Sequence, residues 1–246
     1  MLGCAPRMSL EERPPLPLPN PVPLAPPEGF AARLQAIGVS VDASAIAAIG
    51  DYLARLLAMN EHMNLTAIKD PGEAWEKHAL DALTLLPLLA ELRVGARVVD
   101  IGSGGGLPGI PLAIARADLQ VTLVEATQKK AAFLTQVAAA LGLANVTVHA
   151  ERAEQLAQGD LRGSFDVVIA RAVGRLAMLV PLTAPFARPG GTVLLVKGQR
   201  AEEELAEAAR ILGKMRVTHV KTVPTPTGRI VVLRRGGDLP KRIAKR

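Results

Sequence analysis

The spacing of hydrophobic positions changes near residue 95. Before that point apolar residues recur every three or four places. Ile46, Ile49, Leu53, Leu56 and Leu57 form one stripe along a helix. KHALDALTLLPLL (77–89) predicts a second helix that stops near Pro87. The polar stretch between them, NEHMNLTAIKDPGEAW, carries turn formers and predicts a loop. Beyond residue 95, ARVVDI (96–101), QVTLVE (120–125), NVTVHA (145–150), FDVVIA (165–170) and TVLLVK (192–197) read as strands. The helical patterns PLAIAR, KKAAFLTQVAAALG and RAVGRLAMLVPLTAPFA lie between them. Such alternation predicts right-handed crossovers and a parallel sheet covered on both faces. RVTHVKTV (216–223) and GRIVVLRR (228–235) are joined by PTPT without a helix, which predicts an antiparallel hairpin at the sheet edge. The expected fold is α/β and Rossmann-like, with a seven-stranded, mostly parallel sheet and an N-terminal helical extension packed on it.

Eight prolines between residues 14 and 27 bar helix and ladder strand alike. The expected organisation is therefore a disordered Pro-rich arm over 1–28, the helical extension over 29–92, the main domain over 93–236 and a basic tail over 237–246. MSLEER also makes Met8 a plausible chain start. Aromatic residues are only 2% of the 246, so the core must be built from Ala, Leu, Val and Ile. The single cysteine, Cys4, excludes a disulfide framework within the chain and any cysteine-cluster metal site, and suits the cytoplasm. No apolar run near the start reads as a secretory signal, and LTLLPLLA (83–90) is too short to cross a bilayer. Residues 210–246 hold eleven Lys or Arg and one acid, Asp238; the remaining residues sum to −4. A basic end on a slightly acidic body suggests an anionic polymer as partner, the plain alternative being a solubilising tail.

VVDIGSGGGLPG (98–109) carries the chemistry. Five glycines follow a strand that ends in a carboxylate, Asp100. GGGLPG (104–109) matches the dinucleotide fingerprint literally. Counted from Gly102, where the strand ends, the third glycine position falls on Leu107. A carboxylate there also repels a pyrophosphate. S-adenosylmethionine carries an ammonium and a sulfonium and no phosphate, so Asp100 can orient its ammonium while Gly102 and Gly104 let the backbone approach. Glu125, at the end of the second strand, can accept ribose hydroxyls under either reading.

DIGSGGGLPGIPLAI (100–114) resembles the signature of the bacterial small-subunit (16S) ribosomal RNA methyltransferase G, or glucose-inhibited division protein B, family. The resemblance continues through NLTAI (64–68), KHALDAL (77–83), VEATQKKAAFL (124–134), RAE (152–154), ARAV (170–173), PGGTVLLVKG (189–198) and HVKTV…RIVVL, over roughly residues 45–235. Ala82 departs from it, where the family usually has Ser. The resemblance implies methyl transfer to N7 of a guanine in the decoding-region loop of 16S rRNA. It implies S-adenosylmethionine bound through Gly102, Leu107, Ala153, Glu154 and Arg171, with Glu125, Ala126 and Thr127 flanking the adenosine.

The residues themselves agree with that target. Methylation at cytosine C5 needs a covalent nucleophile, and the only thiol lies in the proline arm. Methylation of an exocyclic amine commonly uses Asp/Asn-Pro-Pro-aromatic after the fourth strand, where this chain reads ARAV. Guanine N7 has an in-plane lone pair and loses no proton, so no general base is expected and no metal is called for. Arg171 and Lys197, at the ends of the fourth and fifth strands, are the substrate-side candidates. For Lys197 the alternative is a snorkelling surface lysine; for Arg171, an ion pair with Glu154 or Asp166. His78 and Asp81 share a helix face and read as a packing pair. Asn64 and Thr66 fit a cap or turn. The expected partner is 16S rRNA or the small subunit, met by a monomer with no membrane role. A non-catalytic RNA-binding or assembly factor on the same fold is the alternative.

Overall fold

Residues 14–171 and 174–237 are described in the computed structural model. Strands β1 (Arg97–Ile101), β2 (Gln120–Val124), β3 (Val146–His149), β4 (Phe165–Arg171), β5 (Ala187–Lys197), β6 (Val217–Pro224) and β7 (Arg229–Arg235) form one sheet in the order β3-β2-β1-β4-β5-β7-β6. The first five pair in parallel, and β7 runs antiparallel between β5 and β6. The expected edge hairpin is thus present. The chain steps outward from β1 to β3, then returns to place β4 on the other side of β1. That reversal opens a crevice at the carboxyl ends of β1 and β4, where open α/β sheets take ligands.

The helices are α1 (Phe30–Ala36), α2 (Ala43–Asn60), α3 (Pro71–Ala74), α4 (Asp81–Leu83), α5 (Gly109–Ala115), α6 (Gln128–Ala140), α7 (Ala153–Leu156), α8 (Leu176–Thr183), α9 (Ala201–Glu207) and α10 (Ala209–Lys214). Strand alternation sends Val98, Leu123, Ile169 and Leu194 to one face, under α1, α2, α5 and α6. Val99, Val124, Val168 and Leu195 go to the other, under α8, α9 and α10. The N-terminal helices therefore share one core with the sheet. On α2, Asp42 caps the start by accepting from the Ala45 N–H at 2.7 Å. Ile49, Leu53 and Leu56 are buried as the stripe requires; Tyr52 and Met59 complete that face, while Ile46 and Leu57 are half-buried.

Three expectations differ from what the fold shows. The loop expected over 60–75 ends early, because Asp70 caps a helix with Pro71 at its first position. That helix then continues as a π-helix over Trp75–Leu80 into α4, and Pro87 lies within a short 3₁₀ turn, Leu86–Leu89. Helices α9 and α10 had no expectation; their apolar side is thin, with Ala201, Ala208 and Leu212 on the core. Residues 14–28 form no helix or strand, yet they are not a free arm. Leu18 and Leu24 pack on the core, the Leu24 N–H donates to Gly50 O at 3.1 Å, and Arg55 holds Pro19 O at 2.9 Å. A Cβ on Gly50 would run into Leu24 O. Cys4, Met8 and the tail beyond Gly237 lie outside the described residues.

Candidate functional site

The glycines after β1 divide by what surrounds them. Gly102 (φ +75°) and Gly104 (φ +57°) hold left-handed backbone, and a Cβ on either would find open space or nothing nearer than 4.0 Å. Gly105, Gly106 and Gly109 serve packing. A Cβ on Gly105 would press on Leu56, on Gly106 against Ile110 and Leu134, and on Gly109 against Leu123 and the Asp100 carboxylate. The rear of the loop is thus sealed by α2, α5 and α6, and its front is bare backbone.

In front of it lies a cleft of about 230 Å³. Ile101, Val124, Ala170, Leu179 and Leu182 give it apolar walls; Gly102, Glu125, Ala126 and residues 151–154 complete it. Three carboxylates, Glu125, Glu151 and Glu154, face one cation, Arg152. Glu125 is buried and joins two segments: its Oε2 accepts from the Gly104 N–H at 2.9 Å and its Oε1 from the Thr127 N–H at 2.7 Å. Five expected cofactor residues, Gly102, Glu125, Ala126, Ala153 and Glu154, therefore meet in one cleft, with Thr127 tied to its edge. Leu179 and Leu182 were missed, since an apolar helix position carries no chemical signal. A larger cavity of about 530 Å³ lies at the opposite strand edge, beside Gln120 and Asn145; Asp42 is its one titratable lining residue, already spent on capping α2.

Other expected residues sit apart from the cleft. Leu107 is buried, so only its main chain belongs to the loop surface. Asp100 is 1% exposed and lies under the loop on the other face of β1 from Ile101. Its Oδ2 accepts from the Gly109 N–H at 3.0 Å, its Oδ1 has no partner, and burial pushes the carboxyl up to about 6. Its first task is to hold the far end of the loop.

Arg171 alternates with Ala170, so its side chain leaves β4 on the face away from the cleft walls. There its guanidinium donates to Asp81 Oδ2 at 3.1 Å and to Lys77 O at 2.9 Å. Asp81, rather than Glu154 or Asp166, is its ion partner; Asp166 sits at the start of β4 and pairs with Arg188. Asp81 also accepts from the Thr227 hydroxyl of the β6–β7 turn. His78 bonds Thr66 Oγ1 at 2.8 Å, and burial drives its imidazole down to about 4, so it is neutral. The helix-face pair His78 and Asp81 thus binds three separate segments at the ends of β4 and β7. Ala82 is buried beside them. Thr66 has the expected turn role, bonding the Ile68 N–H, but Asn60 organises that loop: its Oδ1 accepts from Leu65 and Thr66 N–H. Asn64 is exposed.

Lys197 is no surface lysine. Its side chain is 4% exposed, paired with Glu204 at 2.9 Å and donating to Gly174 O at 2.6 Å. Glu204 in turn accepts from the Leu176 N–H. The pair clamps the segment that follows β4.

An acid-lined cleft floored by bare backbone repels a pyrophosphate and suits a cationic ligand with an apolar ring and ribose hydroxyls. Gly102, Glu125, Ala126, Ala153 and Glu154 would hold S-adenosylmethionine, and Leu179 and Leu182 add apolar wall. Fold and cleft together define a Rossmann-like S-adenosylmethionine-dependent methyltransferase. Solved structures with the same fold include a Klebsiella pneumoniae protein assigned as an O-methyltransferase (TM-score 0.55, 17% identity, 84% of this chain and 97% of that one). Another is the ribosomal protein L11 methylase of Lactobacillus delbrueckii subsp. bulgaricus (TM-score 0.50, 16% identity, 64% and 77%). The family profile described as rRNA small subunit methyltransferase G matches residues 45–231. The ribosomal RNA small subunit methyltransferase G of Sorangium cellulosum is 73% identical over 96% of this chain and 98% of its own. That of Burkholderia thailandensis is 43% identical over 75% and 81%. The chain belongs to the small-subunit rRNA methyltransferase G family. Among the described residues no helix is long and apolar enough to cross a membrane.

Proposed function

We propose that this chain methylates N7 of a guanine in the decoding-region loop of 16S rRNA, acting as a cytoplasmic monomer whose cleft is assembled from a single chain. The observation that carries the reading is Arg171 at the end of β4. Beside the cleft, on the opposite face of β4, Asp81 holds its guanidinium, a group that recognises guanine O6 or phosphate and cannot accept a proton. Bound there, S-adenosylmethionine would supply a sulfonium methyl: its S–C bond would break as the N7–C bond forms from the in-plane lone pair, releasing neutral S-adenosylhomocysteine with no proton lost. The protein's work is then placement. Gly102 and Gly104 admit the donor to the backbone, Glu125 and Glu154 orient it, and Asp81 and Thr227 fix where Arg171 points. Lys197 acts through Glu204 and Gly174, holding the segment between them. Such positioning supplies roughly 7–11 kcal/mol of a bimolecular barrier.

The test is incubation of 16S rRNA and of small subunits with enzyme and methyl-labelled donor, followed by mapping of the labelled nucleotide. One N7-methylguanosine is expected. Label on an exocyclic amine overturns the N7 assignment, and RNA binding with no label makes the chain an assembly factor.

A further inference from the structure

The cleft lies at the carboxyl ends of the parallel strands, and a row of cations lies at their amino ends. Arg93, Arg97, Arg188, Arg216 and Arg234 are all exposed there. Their neighbourhood is continuous. Asp166 accepts from the Arg97 N–H at 2.8 Å and pairs with Arg188 at 2.8 Å, and its carboxyl is held low in part by the charge of Arg93. Two residues beyond Arg188, Gly190 O accepts from Arg234 at 2.9 Å, and Arg216 O accepts from the Gly236 N–H. The row crosses β1, β4, β5, β7 and β6, four strand spacings or about 19 Å. Asp166 is the one carboxylate within this chain of contacts, against five guanidinium groups. The described chain ends at Gly237, at this same end of the strands.

We propose that this arginine row is a second RNA-binding surface, which grips the phosphate backbone of the substrate about 20 Å from the cleft, the length of β4. Guanidinium forks fit phosphate oxygens bidentately, and a row of them at strand spacing reads no base. The surface therefore adds affinity and selects long RNA without touching the methyl acceptor. The inference rests on rRNA being the substrate.

The test is a triple variant, Arg93→Gln, Arg216→Gln and Arg234→Gln, assayed on full-length 16S rRNA and on a short hairpin containing only the target loop. KM for full-length rRNA should rise roughly tenfold and the log–log salt slope should become shallower by about 2 to 3. kcat and donor affinity should not change, and KM for the hairpin should stay put. The triple Lys variant should recover most of the loss. Single Arg93→Gln and Arg234→Gln variants carry the same test if the triple variant melts early. An unchanged KM and salt slope, beside an active wild type, overturns the proposal. So does weaker binding to heparin with unaltered rRNA kinetics, which would mark the row as a surface for another polyanion. If the wild type labels no rRNA, the functional reading itself has failed.

Discussion

Tyr52 in α2 donates its hydroxyl hydrogen to the carbonyl of Gly105 at 2.8 Å, in full burial and across 53 residues of sequence. Through this bond the N-terminal helices reach the glycine loop, and burial raises the phenol's pKa, so it stays protonated and remains a donor. Tyr52→Phe leaves that carbonyl unpaired. It should cost about 1–3 kcal/mol of stability. S-adenosylmethionine should bind about fivefold more weakly, the equivalent of 1 kcal/mol. Calorimetric titration beside a urea melt checks both; an unaltered Kd would reduce α2 to a packing element.

Asp100, buried beneath the glycine loop, should make stability and donor binding depend on pH. Its folded pKa of about 6 exceeds the unfolded value of 3.8, so the native state binds the extra proton between those values. Its contribution to stability is present below pH 4 and is lost as pH rises through 6, by roughly 3 kcal/mol at most. His78, driven down to about 4, works in the opposite sense, with stability rising from pH 4 to 6.5. The difference between Asp100→Asn and wild type isolates the carboxyl: the variant should gain relative stability from pH 4 to 7. A cationic donor favours the ionised form, so wild-type affinity should climb through pH 6 while the variant's stays flat. Urea midpoints and titrations across that range decide it.

Two glycine substitutions should separate the loop's two faces. Gly109→Ala drives a methyl into Leu123 and Asp100 and should lower stability by roughly 1–3 kcal/mol. Gly102→Ala meets no neighbour, though its φ of +75° adds about 1 kcal/mol of strain. Its larger effect should be on donor binding. Comparing melting temperature with donor Kd for the pair checks this; equal losses in both would mean the loop is one structural unit.

Lys197 is buried and its partner Glu204 half-buried, so removing Glu204 strands a buried ammonium while removing Lys197 leaves a partly solvated carboxylate. Glu204→Gln should cost about 3–5 kcal/mol and Lys197→Met less, with the double variant costing less than their sum. Thermal melts of the three proteins measure the coupling. A stable Lys197→Met that only slows methyl transfer would put the lysine on the substrate instead.

Much of this was readable in one dimension. Short apolar runs located all seven strands and a 3.6-residue period the buried face of α2, because a strand covered on both faces is apolar at successive positions and a helix covered on one side only at every third or fourth. Bare backbone after β1 and Glu125 after β2 pointed to the cleft, since both lie where the chain turns out of the sheet, whereas Asp100, read with them, lies beneath the loop. The polar helices α9 and α10 and the docking of residues 16–24 on α2 left no comparable signal. A thin apolar stripe and a few backbone bonds to Gly50 and Arg55 decide them.

Sequence alone, then, determined the architecture and the class of ligand, because strand alternation and the conformational freedom of glycine are local properties. The roles of charged groups were decided by tertiary structure. Whether Arg171 faces Asp81 or Asp166, whether Lys197 is wet or buried, and whether five arginines line one end of the strands all depend on strand order and on the parity of each strand position. Coulombic pairing acts through space, and partners 90 residues apart, such as Asp81 and Arg171, have no spacing to betray them.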